Sequence, residues 1–239
     1  MTYYPNAKGF RPADTLSYIA VGLLAAVLLC AVLSVIFSFV TLAAPDYEIV
    51  LHDGETLNVG FMLLGLTALL RIPVFIAAVV FFLIWEHRSF TSLAALKANS
   101  REFSPGWAVG WWFIPFANLV KPFQAMRELY NQSEPEVDSD SDFLLPVAAG
   151  TPTLIGFWWA FWILANVANN IASRFDDLKA LPVLVVAASM FELLAGGLLI
   201  KIILDINKRQ QQRFQNLGAV QLSDVPPPPP EFGGFQGRI

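Results

Sequence analysis

Ser104-Pro105-Gly106-Trp107-Ala108-Val109-Gly110-Trp111-Trp112-Phe113-Ile114-Pro115-Phe116-Ala117-Asn118-Leu119-Val120 is the stretch on which the topology turns. It is apolar enough to enter a bilayer. As a helix from Pro105 to Lys121 it would extend about 24 Å at 1.5 Å per residue, short of a hydrocarbon core of about 30 Å, and Pro115 would interrupt it. The reading is therefore a re-entrant or interfacial element over 105–120 and not a crossing.

On either side lie runs that do reach bilayer length, for which about 20 residues suffice. The first covers 16–44; a cleaved signal peptide would have an apolar region of only about 7–15 residues, so a retained span is expected. The second covers 62–85 and carries Arg71 and Pro73, the third covers 147–173 and holds Phe157-Trp158-Trp159-Ala160-Phe161-Trp162, and the fourth covers 180–204. The fold class expected is all-α integral membrane, with four transmembrane helices plus one re-entrant or interfacial aromatic helix on the cytoplasmic side.

Charge fixes the expected orientation, because cytoplasmic loops carry the excess of Lys and Arg. Segment 45–56 has neither, but holds Asp46, Glu48, Asp53 and Glu55. Four spans and a cytoplasmic N-terminus put Lys8, Arg11, Arg88, Lys97, Arg101, Lys121, Arg127, Lys208, Arg209, Arg213 and Arg238 inside, and only Arg174 and Lys179 outside. A fifth crossing at 105–120 would throw the basic group at 208–213 outside. Both ends are accordingly expected in the cytoplasm.

Composition agrees: 56% of the 239 residues are hydrophobic and 14% charged, against roughly a quarter charged in a soluble domain, and mean hydropathy is +0.56. A net charge of −4 with basic residues in short flanking groups leaves no nucleic-acid footprint. Cys30 is the sole cysteine, so no intrachain disulfide is available. The expected division is a cytoplasmic tail over 1–15, a helical membrane domain over 16–214, and a disordered Pro/Gly-rich tail over 215–239. Within the domain, 131–142 reads as a solvated acidic loop, with Glu134, Glu136, Asp138, Asp140 and Asp142. Pro226 and Pro230 bound a run of prolines that favours polyproline II, a spacer or a ligand for an SH3-like partner.

Soluble-enzyme chemistry is missing from the sequence. There is no Gly-rich phosphate loop, no metal-spaced His/Cys set and no nucleophile elbow, and the two histidines, His52 and His87, fall on opposite sides of the membrane. No catalytic residue, metal or cofactor is expected. Intramembrane polarity is the informative signal, since a charge near a span centre costs about 2.5–3.5 kcal/mol even on the lenient insertion scale. Arg71 and Glu192 stand out. Their depths differ by only about 3 Å, so they can pair, either as a proton or solute site or as a purely structural contact with Arg71 able to snorkel.

Asn166, Asn169 and Asn170 form a second polar group. Positions 166 and 170 share a helix face, which suits interhelical hydrogen bonds or a solute path. Gly196-Gly197 suits close helix approach. Trp107 and Trp111, four apart, form one aromatic face with Trp112 beside it and Lys121 and Arg127 following, the pattern of an element at headgroup level.

Trp85-Glu86-His87-Arg88, then Asn99, then the 104–119 stretch followed by Lys121-Pro122-Phe123-Gln124-Ala125-Met126-Arg127-Glu128-Leu129, resembles the signature of a bacterial membrane family known as domain of unknown function 4328. The Phe157 to Trp162 stretch with Asn166, and the Gln-rich exit at 205–213, look like that family's closing helices. The resemblance covers about 60–214. It implies the bacterial plasma membrane but no activity and no catalytic residues. The leading expectation is a non-enzymatic protein that organises lipid or membrane partners, including further copies of itself. The alternatives are a small transporter or channel component using Arg71 and Glu192, and a membrane-embedded lipid enzyme using carboxylates such as Glu102 or Glu128.

Overall fold

A computed structural model describes residues 10, 13–50, 54, 56–96, 102–135, 153–174 and 180–223, the side chains only to 217. It contains four long helices, α1 (Asp14–Ala43), α2 (Val59–Ala95), α5 (Thr153–Ala172) and α6 (Leu181–Ser223), each long and apolar enough to cross a membrane. The protein is a multi-pass all-α membrane protein. Between α2 and α5 come α3 (Pro105–Gly110), two 3-10 turns (Trp111–Phe113 and Ala117–Leu119) and α4 (Lys121–Gln132).

α1 packs along α2 on one side and along α6 on the other, and α5 packs along α6. The order across the bundle is thus α2, α1, α6, α5, with antiparallel neighbours, and among the described residues α2 and α5 share no extended interface. Small side chains make the inner contacts close. The buried face of α1 runs through Ser17, Ala20, Ala31, Ser34, Ser38 and Thr41. A Cβ on Gly60 would stand 2.1 Å from Thr41 Oγ1, so glycine is required where α1 meets α2. Gly196 does the same for Leu28 of α1, at 2.5 Å, whereas Gly197 faces open space, so only the first of the two glycines brings helices together.

Several boundaries depart from the expectation. The acidic connection is a small antiparallel hairpin, β1 (Glu48–Val50) with β2 (Thr56–Asn58), Ile49 opposite Leu57. Asn58 ends it by capping α2, accepting from the Phe61 amide at 3.2 Å while its own amide holds the Pro45 carbonyl at 2.8 Å. α2 passes through Pro73 without ending and continues ten residues beyond 85. α6 continues to Ser223, so 215–223 are helical and the expected disordered tail is too long by those residues; likewise 131–132 belong to α4 and Asp14 opens α1. The proline run, His52 and most of the acidic loop lie outside the described residues.

The overhangs have a reason. At 1.5 Å per residue α2 is about 55 Å long and α6 about 64 Å, well beyond a hydrocarbon core of about 30 Å. Their protruding ends are covered by α4, which places Pro122, Ala125, Met126 and Leu129 on one buried face at helical spacing. The fully buried side chains concentrate here: Trp85, Phe90 and Leu93 of α2 and Leu96 just after it, Met126 and Leu129 of α4, Ile155 and Trp158 of α5, and Ile202, Ile203 and Ile206 of α6. This is a core of the kind soluble proteins have. The spans themselves keep most of their apolar surface outward.

Arg213 ties that end together. Its Nε donates to the Leu96 carbonyl at the end of α2 (2.9 Å), and its Nη1 reaches the Gln132 and Glu134 carbonyls at the end of α4 (3.4 and 2.9 Å). One guanidinium thus closes two helix C-termini, where carbonyls lack partners and cations are favoured. Gln210 bonds the Ser89 carbonyl and Ser133 Oγ, and Asn207 and Gln211 both hold Asp14.

Candidate functional sites: an aromatic wedge and an intramembrane cleft

Ser104 caps α3 by accepting from the Trp107 amide at 3.4 Å, and Pro105 occupies the first turn, where its missing N–H is no loss. The helix lasts six residues. The chain then tightens into a 3-10 turn and reverses at Pro115-Phe116, where the Ala117 amide donates to the Pro115 carbonyl at 2.8 Å around Phe116 at φ 65°. This γ-turn puts a bulky non-glycine residue in the left-handed region, at a cost of about 1–3 kcal/mol. The element over 105–120 is therefore a folded loop with one short helix, instead of a single helix.

Its two faces differ. Trp107 and Trp111 lie side by side, ring centroids 4.9 Å apart and tilted by 32°, with Lys121 Nζ above the Trp111 ring at 5.9 Å and above Phe103 at 5.5 Å. Trp112 does not join them. It turns inward between α2 and α5, packing edge-on against Phe82 (5.7 Å), Trp159 (6.0 Å) and Trp162 (5.8 Å), while its Nε1 donates to Glu86 Oε2 at 2.9 Å. The step of one residue rotates it to the opposite side, and a buried indole N–H needs an acceptor. Trp159 Nε1 in turn holds the Leu119 carbonyl at 3.1 Å. The loop thus fills the gap that α2 and α5 leave.

Beyond the wedge, Phe113, Ile114, Phe116, Leu119 and Val120 all face outward, Phe116 at 86% exposure. Arg127, half-buried on α4, is already engaged with a partner. Glu128 accepts the Glu102 and Phe103 amides at 2.9 and 3.2 Å. Of the two carboxylates considered for lipid chemistry, that of Glu128 is thus engaged with the backbone of Glu102 and Phe103, a clamp that fastens the start of α3 to α4.

The second site lies in the half of the bundle nearer the hairpin. Arg71 Nη2 of α2 pairs with Glu192 Oε1 of α6, about 18 Å and about 17 Å from the helix starts. Arg71 lines a cleft of about 500 Å³ together with Ser34 of α1, Phe61, Leu64, Gly65 and Phe75 of α2, Asn169 of α5, and Val185 and Ser189 of α6. The depth matching read from the sequence therefore brings the pair together, and Asn169 joins their cleft. Asn166 and Asn170 do not. The interhelical bonds expected of this group are not made by Asn166 or Asn169, which donate to the Trp162 and Ala165 carbonyls of their own helix at 2.7 and 2.9 Å.

Sequence reading passed over Glu86, Phe116 and Arg213 as site residues. Glu86 had a legible signal, a carboxylate one residue past an apolar run and four from Phe82. Phe116 and Arg213 had none, since strain and a clamp on carbonyls exist only in three dimensions. Among the described residues, no group of three or more His, Cys, Asp or Glu is gathered that could hold a metal ion.

A family model matches residues 50–208, well over half of the chain, including the wedge and all of the cleft lining except Ser34. The chain belongs to the family described as domain of unknown function (DUF4328). For this DUF4328 chain no curated protein and no solved structure gives a match. The wedge motif and both members of the ion pair fall inside the family region, whereas Arg213 falls just beyond it.

Proposed function

We propose that this DUF4328 protein is a non-enzymatic organiser of lipid or partner proteins, in the bacterial plasma membrane with both ends in the cytoplasm, acting through the loop over 105–120. One observation carries the reading: the loop is locked on its inner side by Trp112 while Phe113, Ile114, Phe116, Leu119 and Val120 stand exposed on its outer side. Such an apolar group beside Trp107, Trp111 and Lys121 suits insertion at the headgroup level, with rings in the interface and the cation towards anionic lipid. The strained γ-turn at Phe116 supports the same reading, because strain persists where a function needs a side chain held outward.

The test uses full-length protein with Phe116→Cys in a Cys30→Ala background, labelled with an environment-sensitive dye in vesicles containing about a third anionic lipid. Blue-shifted emission that lipid-borne quenchers reduce is expected. A second variant, Phe113→Glu with Phe116→Glu, should fold normally yet co-purify with less lipid or partner protein. Dye fully reached by a water-soluble quencher, together with unchanged co-purification, would end the proposal.

A second reading rests on the cleft: a small transporter or channel component in which Arg71 and Glu192 form the working site. It predicts that Glu192→Gln abolishes flux of an ion or solute through proteoliposomes while leaving the protein folded.

A further inference from the structure

The cleft beneath the hairpin has a composition that selects its ligand. Among the described residues lining it, Arg71 is the sole ionised group; Glu192 stands behind Arg71, outside the lining. Of the guanidinium's five N–H donors, those on Nη2 face Glu192, and Arg71 makes no other hydrogen bond among the described residues. Ser34 has committed its one hydroxyl donor to the Cys30 carbonyl, and Asn169 one of its two amide N–H donors to the Ala165 carbonyl. Apart from the Ser189 hydroxyl, the remaining walls are apolar: Phe61, Leu64, Ile72, Phe75, Leu181 and Val185. A guanidinium with spare donors matches a planar or tetrahedral oxyanion, and the walls match a hydrocarbon body.

Size and access narrow the class. About 500 Å³ lies within the roughly 300–1,000 Å³ of ordinary small-molecule sites, room for one chain. α2 and α5, which both contribute to the lining, share no extended interface among the described residues, so no close helix contact there bars a molecule dissolved in the bilayer from entering between them. The opposite end of that gap is filled by Trp112 and its ring partners.

We infer that this cleft binds a single-chain amphiphilic anion, its carboxylate or phosphate head on Arg71 and its chain along the apolar walls of α2 and α6. The inference shares its site with the transport reading and rests on it for location alone, because it concerns binding and not flux.

The experiment measures saturable binding of decanoate, decyl phosphate and decanol by calorimetry, with the full chain in phosphatidylcholine nanodiscs and empty nanodiscs as the blank. One of the two anions should bind at least tenfold more tightly than decanol; the tighter one identifies the head as carboxylate or phosphate. Gly65→Leu should abolish saturable binding with a melting temperature no lower than wild type, since a Cβ at Gly65 meets nothing within 4 Å and the side chain grows into the cleft. Arg71→Gln paired with Glu192→Gln, which leaves no lone charge, should remove the preference for the anion. Equal binding of anions and decanol, no saturable binding at all, or binding indifferent to both variants overturns the inference. Anion binding without flux in proteoliposomes upholds it and removes only the transport reading.

Discussion

Trp112→Phe offers the sharpest test of the wedge. The substitution removes the Nε1 donor that lies 2.9 Å from Glu86 Oε2. Glu86 is 0% exposed and its other oxygen already lacks a partner among the described residues. Leaving that carboxyl with no donor should cost about 1–3 kcal/mol. The smaller ring also loosens contacts to Phe82, Trp159 and Trp162, each worth about 0.5–1.5 kcal/mol when intact; with most of this kept by phenylalanine, about 1 kcal/mol is lost. The expected destabilisation is about 2–4 kcal/mol. In a Glu86→Leu background the packing loss is offset by removal of an indole N–H that no longer has an acceptor, so Trp112→Phe should cost less there and the cycle should give a coupling of at least about 1–3 kcal/mol. Glu86→Gln, which keeps an acceptor, should retain most of the wild-type stability. Unfolding in mixed micelles followed by circular dichroism measures all of these. Equal costs for Trp112→Phe in the two backgrounds would show that the hydrogen bond does not hold the loop.

Two other substitutions test the frame around the sites. Arg213→Ala should lose about 1.5–3 kcal/mol in the same unfolding assay, the usual worth of hydrogen bonds to a charged group, and Arg213→Lys should recover little, because a single ammonium cannot serve both Leu96 and Glu134; full recovery would argue against the clamp. Gly60→Ala should destabilise by about 1–3 kcal/mol through overpacking against Thr41, whereas Gly65→Ala, with open space around it, should stabilise α2 by up to about 1 kcal/mol; similar effects at the two positions would refute the close α1–α2 approach.

The sequence by itself determined the fold class, because bilayer-length apolar runs leave the backbone no way to satisfy its polar groups except as helices. It also limited 105–120 to something other than a crossing, from length and Pro115, and it matched the depths of Arg71 and Glu192, because rise per residue is fixed along a helix. Depth along an axis is legible in one dimension; the neighbour across the bundle is not. Only the tertiary structure decided that α2 and α5 stand apart, that Trp112 turns away from Trp111 to fill their gap, and that Asn169 joins Arg71 while Asn166 does not. The hairpin at 48–58 and the helical stretch to Ser223 escaped the sequence for a related reason. Polar residues beyond a span carry no hydrophobic signal of their own, and α6 continues because Asn207, Gln210, Gln211 and Arg213 find partners on α1, α2 and α4, contacts between residues up to 197 positions apart that the chain makes only once it is folded.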